Sequence, residues 1–388
     1  MSIQKTHSEE ALGMSLPTRK VESFHYTDLR ALIRELPEPV KLADTGGDNY
    51  QRIMPAVRLP FYDGQFFADI ADELPEGVTV TNGVAKANST DINDAIIGMN
   101  AAMHGDAILI KIDGDGTSEV PLGLAHVANS NGATACFHRV EVAKGVTAQI
   151  IDRCVSGSNI NHLSNSVSEL TVGEGAKVDW FIIQQENEDA SRLARLDVDL
   201  AADSELSIFI LNAGGKLVRQ EIKIGVNGEN SNLAIRGVNL VGDNSHIDVT
   251  TILEHNVPHT NAEELFRNVV AGDGHGVFQG QIKVAQPAQK TDAQMACNTL
   301  LLTDEGDFSA KPELEIFADD VICAHGATVT DIDDEQLFYL RARGIDEKTS
   351  RSLLIKAFVD EVVEELETSE IMQDALTSII DNWLDENI

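Results

Sequence analysis

From Asp106 to about Thr330, apolar and polar residues alternate with a period of two. Leu196, Val198 and Leu200 form one run, and Leu206, Ile208 and Ile210 the next. Ile222, Ile224 and Val226 follow, then Ile247, Val249, Thr251 and Leu253. A strand sends successive side chains to opposite faces, so this alternation predicts half-buried strands. Turn formers separate the runs: Gly173-Glu174-Gly175, Asp203-Ser204, Asn227-Gly228, Gly242-Asp243-Asn244 and Gly272-Asp273-Gly274. Several of these turns recur at intervals of about 30 residues with another between, which fits two strands per rung of a coil. The pattern admits an antiparallel sandwich or barrel, or a parallel β-helix. The β-helix is the better fit. The stretch is long for one sandwich, aromatic residues make up only 5% of the chain, and small and β-branched residues suit a narrow interior. The repeat is too irregular for a hexapeptide-type left-handed coil.

The flanks have a different texture. Pro17 to Arg34 predicts short helices, broken by Pro37, Pro39, Gly46 and Gly47. Leu59 to Phe67 predicts a hairpin around Asp63-Gly64. Asp91 to Met103 predicts a helix with Asp91 as N-cap, ended by His104-Gly105. Past residue 330 the period becomes helical. One helix is expected from Asp334 to Arg343, stopped by Gly344. A second runs from Asp346 to about Leu366, with Leu353, Leu354, Ala357, Phe358 and Val362 on one side. A third runs from Glu370 to Leu384, where Ile371, Ala375, Ile379 and Trp383 form one stripe beside Met372, Leu376, Ile380 and Leu384. That broad face either caps the end of the coil or packs internally, or it docks a partner. The expected division is therefore 1–105 mixed and helical, 106–329 coil, and 330–388 helical.

Composition narrows the function. With 63 Asp and Glu against 29 Lys and Arg, the formal charge is −34, which repels nucleic-acid phosphate and anionic membranes. Hydrophobic residues at 43% supply a packed core rather than an acidic disordered chain. No apolar run approaches the roughly 20 residues of a membrane span, and the N-terminus carries no secretory h-region, so a cytoplasmic protein is expected. There is no phosphate-binding Gly-rich loop and no Gly-x-Ser-x-Gly elbow, hence no ATPase or hydrolase signature.

The four cysteines (Cys136, Cys154, Cys297 and Cys323) form no Cys-x-x-Cys pair, which argues against a zinc ribbon or ferredoxin-type site. His255 and His259 flank Pro258; four residues apart on a strand they lie about 13 Å from each other, too far to share one ion. A structural or surface role suits them better. Cys323-Ala324-His325 places a thiol and an imidazole on one strand face, a soft site for metal or sulfur. Its plainer reading is a buried cysteine beside a surface histidine.

Around these residues the chain resembles a known family. KPELEIFADDVICAHGATV (Lys311 to Val329), LFYLRARGI (Leu337 to Ile345), GVFQGQIKV (Gly276 to Val284), AQKTDAQ (Ala288 to Gln294) and PTRKVESFHYTDL (Pro17 to Leu29) look like the SufB/SufD family of the SUF iron–sulfur cluster assembly system. Length and the PTRK-type opening resemble its shorter SufD branch. The resemblance implies a mainly β fold, a right-handed parallel β-helix flanked by N- and C-terminal helical domains. It also implies pairing with SufB through the β-helices, and docking of the ATPase SufC on the C-terminal helices, for which Phe358, Leu354 and Val362 are candidates. The family's interface Cys-x-His falls on Cys323 and His325, with His325 a metal ligand shared with SufB. The chain would then be a non-catalytic scaffold with no tightly bound cofactor, sharing a transient iron–sulfur cluster at the SufB–SufD interface. The resemblance leaves a homodimer without SufB open and gives Cys297 no role. The alternative is a stand-alone β-helix carbohydrate-active enzyme. The absent signal peptide and the scarcity of aromatics for stacking sugars speak against it.

Overall fold

The computed structural model describes residues 5–46, 50–114 and 120–388. Among them the expected parallel coil is present. One sheet passes through Val57–Tyr62, Leu122–Ala128, Thr147–Ser156, Lys177–Gln185, Glu205–Ala213, Asn232–Val241, Asn261–Val270, Asp292–Leu301 and Ile322–Thr330. The other passes through Ala107–Ile112, Gly132–Val142, His162–Val172, Ser191–Leu200, Leu217–Val226, His246–His255, His275–Val284 and Asp307–Ile316. The chain alternates between the two sheets from Ala107 onward, so each strand there pairs in parallel with the strand two ahead of it. The antiparallel sandwich is thereby excluded. Among the described residues, antiparallel pairing is confined to the N-terminal edge. There Tyr62 faces Gln65 across the Asp63-Gly64 turn, and Val78–Asn82 lies beside Ala107–Ile112. Both turn residues have positive φ, 47° and 77°, as the tight hairpin requires.

Exact stacking turns the period-two pattern into axial columns. Ile110, Val140, Leu170, Val198, Ile224, Leu253, Ile282 and Leu314 lie one above another. A second column is polar for much of its length: Phe61, His126, Cys154, Gln184, Asn212, Asn239, Asn268, Thr299 and Val329. Within it, Asn212 donates to Asn239 and Asn239 to Asn268, each at 2.8 Å, so successive rungs satisfy one another's buried amides.

Among the described residues, six α-helices decorate the coil: α1 (His7–Leu12), α2 (Leu29–Leu32), α3 (Ala95–Ala102), α4 (Asp334–Ala342), α5 (Glu347–Glu364) and α6 (Glu370–Asn387). A 3₁₀ turn, Ile92–Asp94, precedes α3, and Asp91 caps it by accepting from the Asn93 amide. The PTRKVESFHYTDL segment is a brace across four rungs of the second sheet, the last through Lys311, which donates to Glu22 at 3.0 Å. Phe24 lies under the Arg219 guanidinium at 4.2 Å, and the Ser23 carbonyl accepts from Arg219 and Gln279. The Thr27 hydroxyl donates to Asp248, which also pairs with Arg219.

The C-terminal helices take the internal-packing alternative. They do not cap the coil's end; α5 and α6 lie along the outer flank of the first sheet. Ile355, Val359, Val362, Leu376, Ile380 and Trp383 pack there with Phe181, Phe209, Val238 and Val269. The buried face of α5 is Ile355, Val359, Val362 and Val363, whereas Leu353 and Ala357 are exposed and Leu354 and Phe358 half-buried. Two apolar stripes overlap on this helix. The β-branched one fits the pleated sheet surface and takes the interface. On α6 the Met372, Leu376, Ile380 and Leu384 stripe is buried together with Ile379 and Trp383, while Ile371 stays exposed.

Candidate functional site

The last rung is open. Ile322–Thr330 pairs with Asp292–Leu301, Asp307–Ile316 pairs with His275–Val284, and among the described residues no further strand extends either sheet. Two edges thus present unpaired N–H and C=O rows. Phe317 is 67% exposed and Ile322 66% exposed, and Ile316 and Val329 are exposed beside them. An apolar patch joined to free strand edges marks an interaction surface.

Cys323 and His325 sit on this rung. Register places Cys323 over Ala293 and His325 over Met295, both interior residues, so the thiol and imidazole share the inward face as the spacing predicts. Their exposure differs. Cys323 is half-buried against the core, and this burial pushes its thiol above the ordinary range. His325 is exposed at the lip, because no rung lies above it. Glu264, Met295 and His325 form one column ending at the opening. Cys297 is buried one rung below, where Asn268 Nδ2 lies 3.3 Å from its sulfur. The same amide donates to Thr299 Oγ1 at 3.1 Å, which ends the asparagine ladder, and burial pushes the Cys297 thiol up to about 12.

The residues expected to dock a partner separate. Val362 is fully buried between α5 and the sheet, so it is a core residue and leaves the docking set. Phe358 is half-buried beneath the Arg267 guanidinium, 5.2 Å from the ring centre, and Leu354 is half-buried. The exposed apolar residues nearby are Phe338 (74% exposed) and Tyr339 of α4 and Leu353 of α5.

His255 and His259 do not converge. His255 is buried with Nδ1 2.8 Å from Thr260 Oγ1, while His259 is exposed in a turn with φ 59°. Sequence reasoning missed a different group: His126, Cys136 and His138 are buried together in the early rungs, with one donor atom from each within 4.8 Å of the others. The signal was available, since Cys136-Phe137-His138 repeats the Cys-x-His spacing of the last rung. Burial holds His126 well below the ordinary histidine range and His138 at about 3, and pushes the Cys136 thiol up to about 12.

Comparison with known proteins places the chain in a family. Residues 126–358 match the SufBD core domain of the SUF system for FeS cluster assembly. The iron–sulfur cluster assembly protein SufD of Escherichia coli K12 is 33% identical over 96% of this chain and 90% of its own length. The Arabidopsis thaliana protein ABCI7, chloroplastic, is 26% identical over 96% of the chain and 84% of its own. An iron–sulfur cluster assembly SufBD family protein of Synechocystis is 26% identical over 91% and 84%. With a parallel coil, an open last rung and these relatives in agreement, the chain belongs to the SufB/SufD family of iron–sulfur cluster assembly proteins, on its SufD side.

Proposed function

We propose that the chain is the SufD-type scaffold subunit of a SufBCD-type complex. A SufB-type β-helix continues the two sheets beyond the last rung, pairing the free edges and covering Ile316, Phe317, Ile322 and Val329. The observation that carries this reading is the uncovered rung with Cys323 and His325 on its inner face. Iron and sulfide are cargo here. A neutral imidazole nitrogen is a good iron ligand, and His325 supplies it at the lip. A cluster needs about four ligand positions, so the facing subunit provides others and the cluster is transient and shared. Cys323, tied into the core, contributes less than His325.

The exposed Phe338, Tyr339 and Leu353, with Leu354 and Phe358 beside them, dock the SufC-type ATPase. ATP hydrolysis belongs to that partner, and this chain is non-catalytic. In this reading residues 1–105 brace the coil, 106–329 form the scaffold and 330–388 carry the docking helices. The complex works in the cytoplasm, and without SufB the same open edge supports a homodimer. A stand-alone carbohydrate-active enzyme is not favoured, because the family match supports cluster assembly.

Co-expression with the SufB- and SufC-type proteins of the same genome, followed by size-exclusion chromatography, tests the assembly. The three are expected to co-elute. Phe338→Asp should release the ATPase and leave SufB bound. Separate elution of the parent chain from SufB would overturn the pairing.

A further inference from the structure

His126, Cys136 and His138 project into the coil from both sheets and meet inside its first rungs. His126 stands on Leu122–Ala128 of the first sheet, and Cys136 and His138 stand on Gly132–Val142 of the second. Leu122 and Leu124, and Val140 and Val142, occupy the same inward positions further along these strands. Apolar side chains would therefore have filled the space. Two imidazoles and a thiol fill it instead.

Each ring is oriented by a second contact. His138 Nδ1 lies 3.1 Å from Ser168 Oγ, and its Nε2 is fully buried with no hydrogen-bond partner among the described residues. His126 Nε2 faces the Asp152 carboxylate at 3.4 Å, while Nδ1 lies 3.9 Å from the Cys136 sulfur. A carboxylate or hydroxyl on one ring nitrogen, with the other nitrogen turned toward a shared point, is the supporting shell of metal-binding histidines. Bonds of about 2.0–2.3 Å in a tetrahedron set donors roughly 3.3–3.8 Å apart. The present separations, up to 4.8 Å, need only a small contraction.

Beside His126 and Cys136 lies a cavity of about 20 Å³, also lined by Glu186 and Arg192. That is room for about one water-sized occupant, enough for a fourth ligand. The charges close as well. Arg192, Glu186 and Asp152, all buried, sum to −1 when the carboxyls are ionised, and a divalent ion with a Cys136 thiolate adds +1.

We propose that His126, Cys136 and His138 bind one divalent transition-metal ion of the zinc class inside the early rungs, with a water as fourth ligand. Two imidazoles and one thiolate form a borderline-soft set that suits Zn(II). The site is separate from the proposed cluster interface. It lies seven strands from Ile322–Thr330 in the same sheet, about 33 Å at the usual strand spacing. The ion ties the two sheets together where the coil begins.

The test uses the full chain, produced in zinc- or cobalt-supplemented medium so that the buried site loads during folding. Metal content by mass spectrometry should give one ion per chain, retained through chelator exchange. The cobalt form should show a thiolate-to-cobalt charge-transfer band. Cys136→Ser should lower occupancy at least tenfold and remove the band. Cys154→Ala, a buried thiol outside the donor set, should change neither, and nor should His325→Ala. If Cys136→Ser fails to fold, X-ray absorption of the parent zinc form decides: one sulfur and two imidazoles support the site. A shell without sulfur overturns it, as does a parent chain that emerges metal-free or a band that survives Cys136→Ser.

Discussion

The chain carries Cys-x-His at two places, at opposite ends of one interior. Cys136 and His138 lie in the early rungs, closed above and below, with Phe61 stacked 4.7 Å from His126 and edge-on to His138 at 5.0 Å. Cys323 and His325 have the same spacing and inward direction, yet the imidazole is exposed. The local strand geometry is identical, and the number of rungs above it sets the environment. A closed rung turns the pair into part of the core. The last rung leaves it half-made and offers it to whatever completes the sheet.

The largest expected difference between the two ends is functional. His325→Ala should lower cluster-dependent enzyme activity at least tenfold in cells relying on this system, while complex formation is retained. Its effect on the stability of the isolated chain should stay within about 0.5 kcal/mol, since the side chain is exposed. Cys323→Ser should be milder. Full growth of the His325→Ala strain under those conditions would remove the ligand role.

Next in size is the edge itself. Phe317→Asp combined with Ile322→Asp places two charges on the apolar lip without touching buried residues. The variant should keep the parent's circular dichroism and thermal midpoint and lose co-elution with the SufB-type partner. Retained co-elution would mean that pairing runs through another surface.

Much of this was legible in the sequence, and the failures have causes. Runs such as Ile222, Ile224 and Val226 gave the strands, because a period of two has one structural meaning. The irregular turn spacing still gave a coil, since each strand needs only to reach the one stacked beneath it. The hairpin at Asp63-Gly64 and the helix stop at Gly344 (φ 90°) were readable from turn chemistry. Val362 was placed with the wrong stripe of α5, because its two apolar stripes differ only in which one meets the sheet, a tertiary choice. The shared inward direction of Cys323 and His325 was legible from their spacing. The buried trio was missed because His126 and Cys136 come from different sheets, and only the coil's closure brings them together.

Glycine shows the same contrast on a smaller scale. Gly237 points inward in a closed rung, and a Cβ there would meet the Phe266 ring at 2.2 Å. Phe266 is fully buried and cannot yield, so Gly237→Ala should cost about 1–3 kcal/mol. A Cβ on Gly326, in the last strand, meets nothing within 4 Å. Gly326→Ala should be neutral or slightly stabilising, within about 0.5 kcal/mol. Urea unfolding of the two variants side by side checks this. Equal losses would mean that the outer face at Gly326 is packed as tightly as the interior at Gly237.

Glu264 offers the finest probe, because it lies two strands beneath His325 in the same column. Burial pushes its carboxyl up to about 8, against an ordinary value of 4.5, although Thr251 donates to Oε2 at 2.8 Å. The folded chain therefore keeps a proton that the unfolded chain loses between those values. Stability from this group is complete below about pH 4.5 and declines as pH rises through about 8. Each pH unit within that window weakens the fold by about 1 kcal/mol. Glu264→Gln, which cannot ionise, should match the parent near pH 5 and exceed it in stability at pH 8. Thermal midpoints measured across this range give the comparison directly. Parallel profiles would show that the carboxyl is already hydrated through the open rung, and that the coil's interior is wet two strands deeper than its packing indicates.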